Sequence, residues 1–133
     1  MDRPSTASPL TDLARALLLL NGAVDGLSGV FMLAAAGSIA SFLGVGNPLI
    51  VEAVGAVLVL FGAAVFWLGL GSTSRPLVLV VASINIIWVL DSIIVLLAGV
   101  HALSEGGRWA VGIVAVTVAL FAAAQLYALR RMD

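Results

Sequence analysis

The sequence predicts an all-α fold, a polytopic membrane protein built as an antiparallel four-helix transmembrane bundle. Three observations carry that expectation. Hydrophobic residues make up 62% of the 133-residue chain and charged residues 10%, too little polar surface to clothe a soluble domain. The apolar residues fall into four blocks, each near the ~20 residues a helix needs to cross the hydrocarbon core. Between the blocks lie short segments of Gly, Pro, Ser and charge, the residues that break helices and reverse a chain.

The elements follow in order. Residues 1–11 (MDRPSTASPLT) are polar and carry Pro4 and Pro9, which marks a short disordered tail, and residues 12–133 then form a single transmembrane domain. Thr11 or Asp12 is placed to cap the first helix by accepting from its free first-turn amides. The first span runs over about 13–36. GSIASFLGVGNP (37–48) is uncharged and keeps Ile39, Phe42, Leu43 and Val45 apolar. It reads as a short interfacial helix ended by Gly44, Gly46 and Pro48. The second span covers about 49–70, with Glu52 near its start. GLGSTSRP (69–76) is a polar turn, and Pro76 suits the first turn of a third span over about 77–100. HALSEGGR (101–108), broken at Gly106-Gly107, leads to a fourth span over about 109–129. Residues 1–36 also admit a signal-peptide reading, with cleavage after Ala34-Ala35-Ala36. The run is too long for a signal core and contains Asn21, Gly22 and Asp25, so a retained helix is expected.

Charge orients the bundle and narrows its chemistry. All six cationic residues are Arg. Arg3, Arg15, Arg75, Arg130 and Arg131 fall on one side and Arg108 on the other, so the positive-inside rule places both termini in the cytoplasm. Trp67, Trp109 and Tyr127 lie near span ends, where amphipathic rings sit at headgroup level. With no Cys, disulfides, thiolate metal sites and Fe–S clusters are excluded. His101 is the single histidine, which removes paired-His haem ligation within one chain. His101 and Glu105 are four apart, but two ligands make a weak metal site, and a solvated loop is the expectation. No basic stripe with interleaved aromatics suggests nucleic acid. No nucleophile–base pair, phosphate loop or zinc spacing can be assembled, so the expectation is a non-enzyme without catalytic residue, cofactor or metal.

Polar residues inside the spans are the candidate site. Asp25 and Asp91 each fall near mid-bilayer, where a carboxylate is costly unless paired, neutralised or facing protein. Asn21, Asp25 and Ser28 share one face of the first span, and Asn85, Trp88 and Ser92 share one face of the third. Asp91 points about a third of a turn away from Asn85. Asn21 and Asn85 lie at nearly the same depth. In one reading these faces meet and the two Asp residues share a proton or bind a cation. In the other they are interhelical hydrogen-bonding glue. Gln125 is expected to be further glue, Glu52 to complement a helix N-terminus near water, and Trp88 to pack in the core. Gly22, Gly26 and Gly29, with Gly55 and Gly62, form small-residue stripes that allow close helix approach, within the chain or in a homodimer. A weak internal echo pairs Asn21 and Ser28 with Asn85 and Ser92, and Ala53-Val54-Gly55 with Ala110-Val111-Gly112. It would correspond to a parallel two-plus-two repeat.

Several short motifs carry a likeness. They are Asn21-Gly22, Leu43-Gly44, Gly55 with Phe61-Gly62, Asn85-x-x-Trp88 with Ser92, Gly106-Gly107, and Gln125 followed by Arg130-Arg131. In these the chain resembles a group of small four-span bacterial proteins described only as integral membrane proteins. The resemblance implies a four-helix membrane bundle in a bacterial cytoplasmic (inner) membrane, and it implies no catalytic or binding residue. Asp91 departs from that pattern. The functional expectation is a helix-bundle scaffold or accessory subunit, a non-enzymatic membrane protein that binds a membrane partner or lipid. The alternative is a small proton-coupled carrier or channel, acting as an oligomer through Asp25 and Asp91. A quinone- or haem-associated subunit is disfavoured by the lone His101.

Overall fold

The computed structural model describes residues 9–98 and 103–132 and resolves them into five helices. These are α1 (Pro9–Ala34), α2 (Ala36–Leu43), α3 (Pro48–Leu70), α4 (Arg75–Ala98) and α5 (Glu105–Arg131). Among the described residues there is no strand. α1, α3, α4 and α5 are each long and apolar enough to cross a membrane, so the chain is a multi-pass membrane protein and its fold is a helical bundle. The short α2 is the helix expected over 37–48. Gly44 ends it with φ 78°, a left-handed backbone that favours a residue without Cβ.

Two helix pairs organise the bundle. α1 packs along α3, α4 packs along α5, and α1 bridges the pairs through α5. The α1–α3 contact is made by glycine. A Cβ built on Gly22 would lie 2.6 Å from the backbone nitrogen of Phe66, and one on Gly62 would lie 2.7 Å from the carbonyl oxygen of Gly22. One on Gly29 would meet the carbonyl oxygen of Gly55 at 2.5 Å. Without side chains the backbones come close enough for dispersion to hold them, which matters where lipid offers no hydrophobic drive between helices. Both stripes are therefore spent within the chain. Gly69, seven residues beyond Gly62, extends the α3 stripe against Leu18 and Leu19. Gly26 differs, since a Cβ there would meet nothing within 4 Å.

Arginine closes one end. Arg15 Nη2 donates to the carbonyl oxygen of Gly71 at 2.8 Å, tying the start of α1 to the end of α3. Arg75 Nη1 donates to the carbonyl oxygens of Leu129, at 2.7 Å, and of Met132. Cations suit these positions because the last carbonyls of a helix lack intrahelical partners. Arg131 stacks over the Tyr127 ring, 5.6 Å from its centroid. Below this end sits a core of Ala14, Leu18, Val65, Val78, Val81, Ala128 and Met132. A smaller cluster of Ala36, Ala40 and Val51 lies at the opposite end, where α2 packs on α3.

Helix boundaries depart from the sequence reading at four places. α1 begins at Pro9, so residues 9–11 are helical rather than tail, and Thr11 and Asp12 lie inside the helix rather than capping it. Pro at a first helical position loses only an amide that had no partner. Residues 1–8, and with them Arg3, lie outside the described residues, as do His101 and the end of the third span at 99–100. Pro48 opens α3 instead of ending α2, behind an Asn47 cap that accepts from the Leu49 amide at 3.0 Å. Glu52 is exposed and lies past the first turn of α3. Gly69 and Leu70, shared between the expected second span and the expected turn, belong to α3, as the span range had them.

The fourth departure is the most telling. Gly106-Gly107 is not a breaker but part of the first turn of α5. Ser104 caps that turn by accepting from the Gly107 amide at 2.9 Å. The Ser104 amide donates to the carbonyl oxygen of Leu43 at 2.9 Å, and its hydroxyl donates to that of Phe42. A Cβ on Gly107 would lie 2.6 Å from the Leu43 carbonyl oxygen. The glycine is required so that the end of α2 can seat on the start of α5.

These contacts separate one glycine of each stripe. Gly62→Ala is expected to push α1 from α3 and destabilise the protein by about 1–3 kcal/mol, the usual cost of overpacking. Gly26→Ala, which enters open space, should be neutral or slightly stabilising through helix propensity. Thermal unfolding of both variants in detergent, followed by circular dichroism, checks the contrast.

Candidate functional site

Three amide side chains meet where α1, α4 and α5 converge. Asn21 is 2% exposed, Asn85 4% and Gln125 0%. Asn85 Nδ2 donates to Asn21 Oδ1 at 2.7 Å and to Gln125 Oε1 at 2.9 Å. Gln125 Nε2 donates to the same Asn21 Oδ1 at 2.9 Å. The result is a closed triangle of hydrogen bonds, each side joining a different pair of helices. Asn21 Nδ2 donates outward to Asp25 Oδ2 at 2.6 Å, one turn along α1. Asp25 is half-buried on the rim of the triangle.

Chain geometry explains the convergence. Asn21 is six residues past Arg15 on α1, and Gln125 is six residues before Arg131 on α5. At 1.5 Å per residue both lie about 9 Å inside the arginine-rich end. Asn85 is ten residues along α4 from Arg75, about 15 Å, and the Arg75 side chain reaches the last carbonyls of α5. Three amides at one depth on neighbouring helices satisfy one another, which is how polar side chains are kept inside a membrane bundle.

The structure sorts the candidate residues. It brings together Asn21, Asp25 and Asn85, and it adds Gln125, which sequence reasoning had treated as separate glue. The matching offsets of Asn21 and Gln125 from the flanking arginines were the available signal. Ser92 is buried, but its hydroxyl donates to the Trp88 carbonyl oxygen of its own helix at 2.8 Å. Trp88 is half-buried, and Ser28 is exposed. Asp91 is exposed on α4 and makes no hydrogen bond or ion pair with any described residue. Asp25 and Asp91 therefore do not form a carboxylate pair within one chain. The internal echo is used unequally: Asn21 and Asn85 bond to each other, whereas Gly55 is packed against α1 and its counterpart Gly112 faces open space.

Chemically the arrangement is a clamp with one titratable group at its edge. Carboxamides neither take nor give a proton near neutral pH, so Asn21, Asn85 and Gln125 position helices rather than react. Among the described residues no three of His, Asp or Glu come together as a metal site. No protein-family model matches this chain, and no curated protein or solved structure matches it either. The geometry alone carries the functional reading.

If the triangle is one unit, its members are energetically coupled. A double-mutant cycle of Asn85→Leu and Gln125→Leu, read by detergent unfolding, should give a coupling of about 1 kcal/mol. Strict additivity would mean the amides act independently.

Proposed function

We propose that this chain is a small non-enzymatic integral membrane protein, a rigid helix-bundle scaffold or accessory subunit that binds a membrane partner or lipid. The observation that carries this reading is the self-satisfaction of the interior amides: Asn21, Asn85 and Gln125 spend their hydrogen bonds on one another. A transport site exposes polar groups to a substrate or a hydrated path, whereas these hold helices together. The glycine contact between α1 and α3 adds rigidity on the other side. The carrier reading retains Asp25 alone.

We place the protein in a bacterial cytoplasmic membrane with both termini inside. Support comes from Arg15, Arg75, Arg130 and Arg131, which stand at one end of the bundle, against Arg108 at the other. Segments rich in arginine stay on the cytoplasmic side during insertion. Trp67 and Trp109 are exposed near helix ends, as rings anchored at headgroup level would be.

Two experiments test these statements. Proteoliposomes loaded with a pH-sensitive dye should show no proton flux above protein-free vesicles across applied ion gradients. Flux abolished by Asp25→Asn would replace the scaffold by a carrier. A C-terminal green fluorescent protein fusion should fluoresce in bacterial cells and an alkaline phosphatase fusion should be inactive; the reverse pattern inverts the topology.

A further inference from the structure

A groove of about 600 Å³ runs along α5, from Glu105, Arg108 and Trp109 at its mouth to Thr117 at its foot. Its lining residues recur three and four apart, which keeps them on one face of the helix. Gly112 forms the floor midway: a Cβ there would meet nothing within 4 Å, so no side chain fills the channel at that level. Ile113 and Val116 give it exposed apolar walls. Nine residues separate Arg108 from Thr117, about 14 Å of helix. One leaflet supplies about 15 Å of hydrocarbon, half of the bilayer core. The groove thus has the reach of one leaflet, its charged mouth at the headgroups and its foot at the midplane. Trp109 is exposed at the mouth, the level that such rings favour.

The mouth carries both signs of charge. Glu105 and Arg108 are three apart on α5, and both are exposed. That spacing lets opposite charges pair across a helix turn. Their side chains nevertheless form no ion pair with each other or with any described residue. Arg108 gains nothing from its own helix, since a cation near a helix N-terminus opposes the dipole. Its fork of donors matches a phosphate. Glu105 stands about 4.5 Å further out along the helix, and a carboxylate only accepts. A ligand that satisfies both carries a phosphate at the level of Arg108, a donor cation outside it and an apolar tail below. A phospholipid whose headgroup ends in a primary ammonium has these parts in that order. A choline headgroup has the cation but no N–H to donate, and a glycerol headgroup brings no cation to Glu105.

We propose that the α5 groove is a site for one phospholipid with a primary-ammonium headgroup, of the phosphatidylethanolamine type, drawn from the leaflet at the Arg108 end. Arg108 holds the phosphate and Glu105 accepts from the ammonium. An acyl chain lies over Gly112, between Ile113 and Val116. This rests on the scaffold reading and names the class of lipid that the scaffold binds.

Exposed tryptophans at opposite ends of the bundle give the test its own control. Trp67 stands at the arginine-rich end, away from the groove, and reports ordinary surrounding lipid. Two variants of the full-length protein keep one of these rings each. Trp67→Phe with Trp88→Phe leaves Trp109, and Trp88→Phe with Trp109→Phe leaves Trp67. Both enter phosphatidylcholine liposomes containing rising fractions of brominated phosphatidylethanolamine, phosphatidylglycerol or phosphatidylcholine. Quenching of Trp109 should show the ethanolamine lipid bound about fivefold more tightly than the other two. Trp67 should be quenched equally by all three. Glu105→Gln, Arg108→Gln and Gly112→Leu should each remove the preference at Trp109, with helix content unchanged by circular dichroism. Equal quenching of Trp109 by the three lipids, or the same preference at Trp67, means surrounding lipid only and overturns the proposal. Strongest quenching by phosphatidylglycerol makes Arg108 a plain anion site and overturns it too, as does a preference that survives Glu105→Gln. Those outcomes leave the scaffold to a protein partner, whereas proton flux would remove the scaffold whatever the lipid result.

Discussion

The bundle depends on the hydrogen-bonded triangle of Asn21, Asn85 and Gln125. In water, apolar helix faces would find one another without help. In lipid they gain little by doing so, because the tails are as apolar as leucine. Something specific must bring the α1–α3 pair against the α4–α5 pair, and the amides do it. Left apart, each would be a polar group in hydrocarbon without a partner. Together they fix both the depth and the rotation of three helices.

The α1–α3 contact solves the same problem differently. There the close approach of Gly22 and Gly29 to Gly55 and Gly62 replaces side-chain bonding with backbone packing. One half is held by the absence of side chains and the junction by their polarity. The two ends are secured differently again. Arginines reach helix-terminal carbonyls at one end, and Ser104 receives the end of α2 at the other.

What could be read from the sequence follows from what each signal measures. Span positions were legible because hydropathy and length are local properties, and the four spans stand close to where the apolar blocks put them. The common depth of Asn21 and Asn85 was legible because depth is counted along a helix. Gln125 was seen as glue, but its membership of the triangle depends on which helices are neighbours, and no local pattern states that. Rotation about the helix axis was the weakest point. Ser28 shares a nominal face with Asn21 yet is exposed, so periodicity alone did not tell which part of that face a neighbouring helix covers. Gly106-Gly107 misled for a related reason. A glycine pair looks like a chain break until the partner backbone that demands it, Leu43, is in place.

The Asn21–Asp25 bond has a bearing on how the chain is built. It is the one bond of the clamp that lies wholly within a single helix. The other three need α4 and α5, which follow α1 in the chain. Asp25 is thus the one partner of Asn21 supplied by its own helix. That bond needs only α1, and the finished bundle keeps Asp25 at its rim.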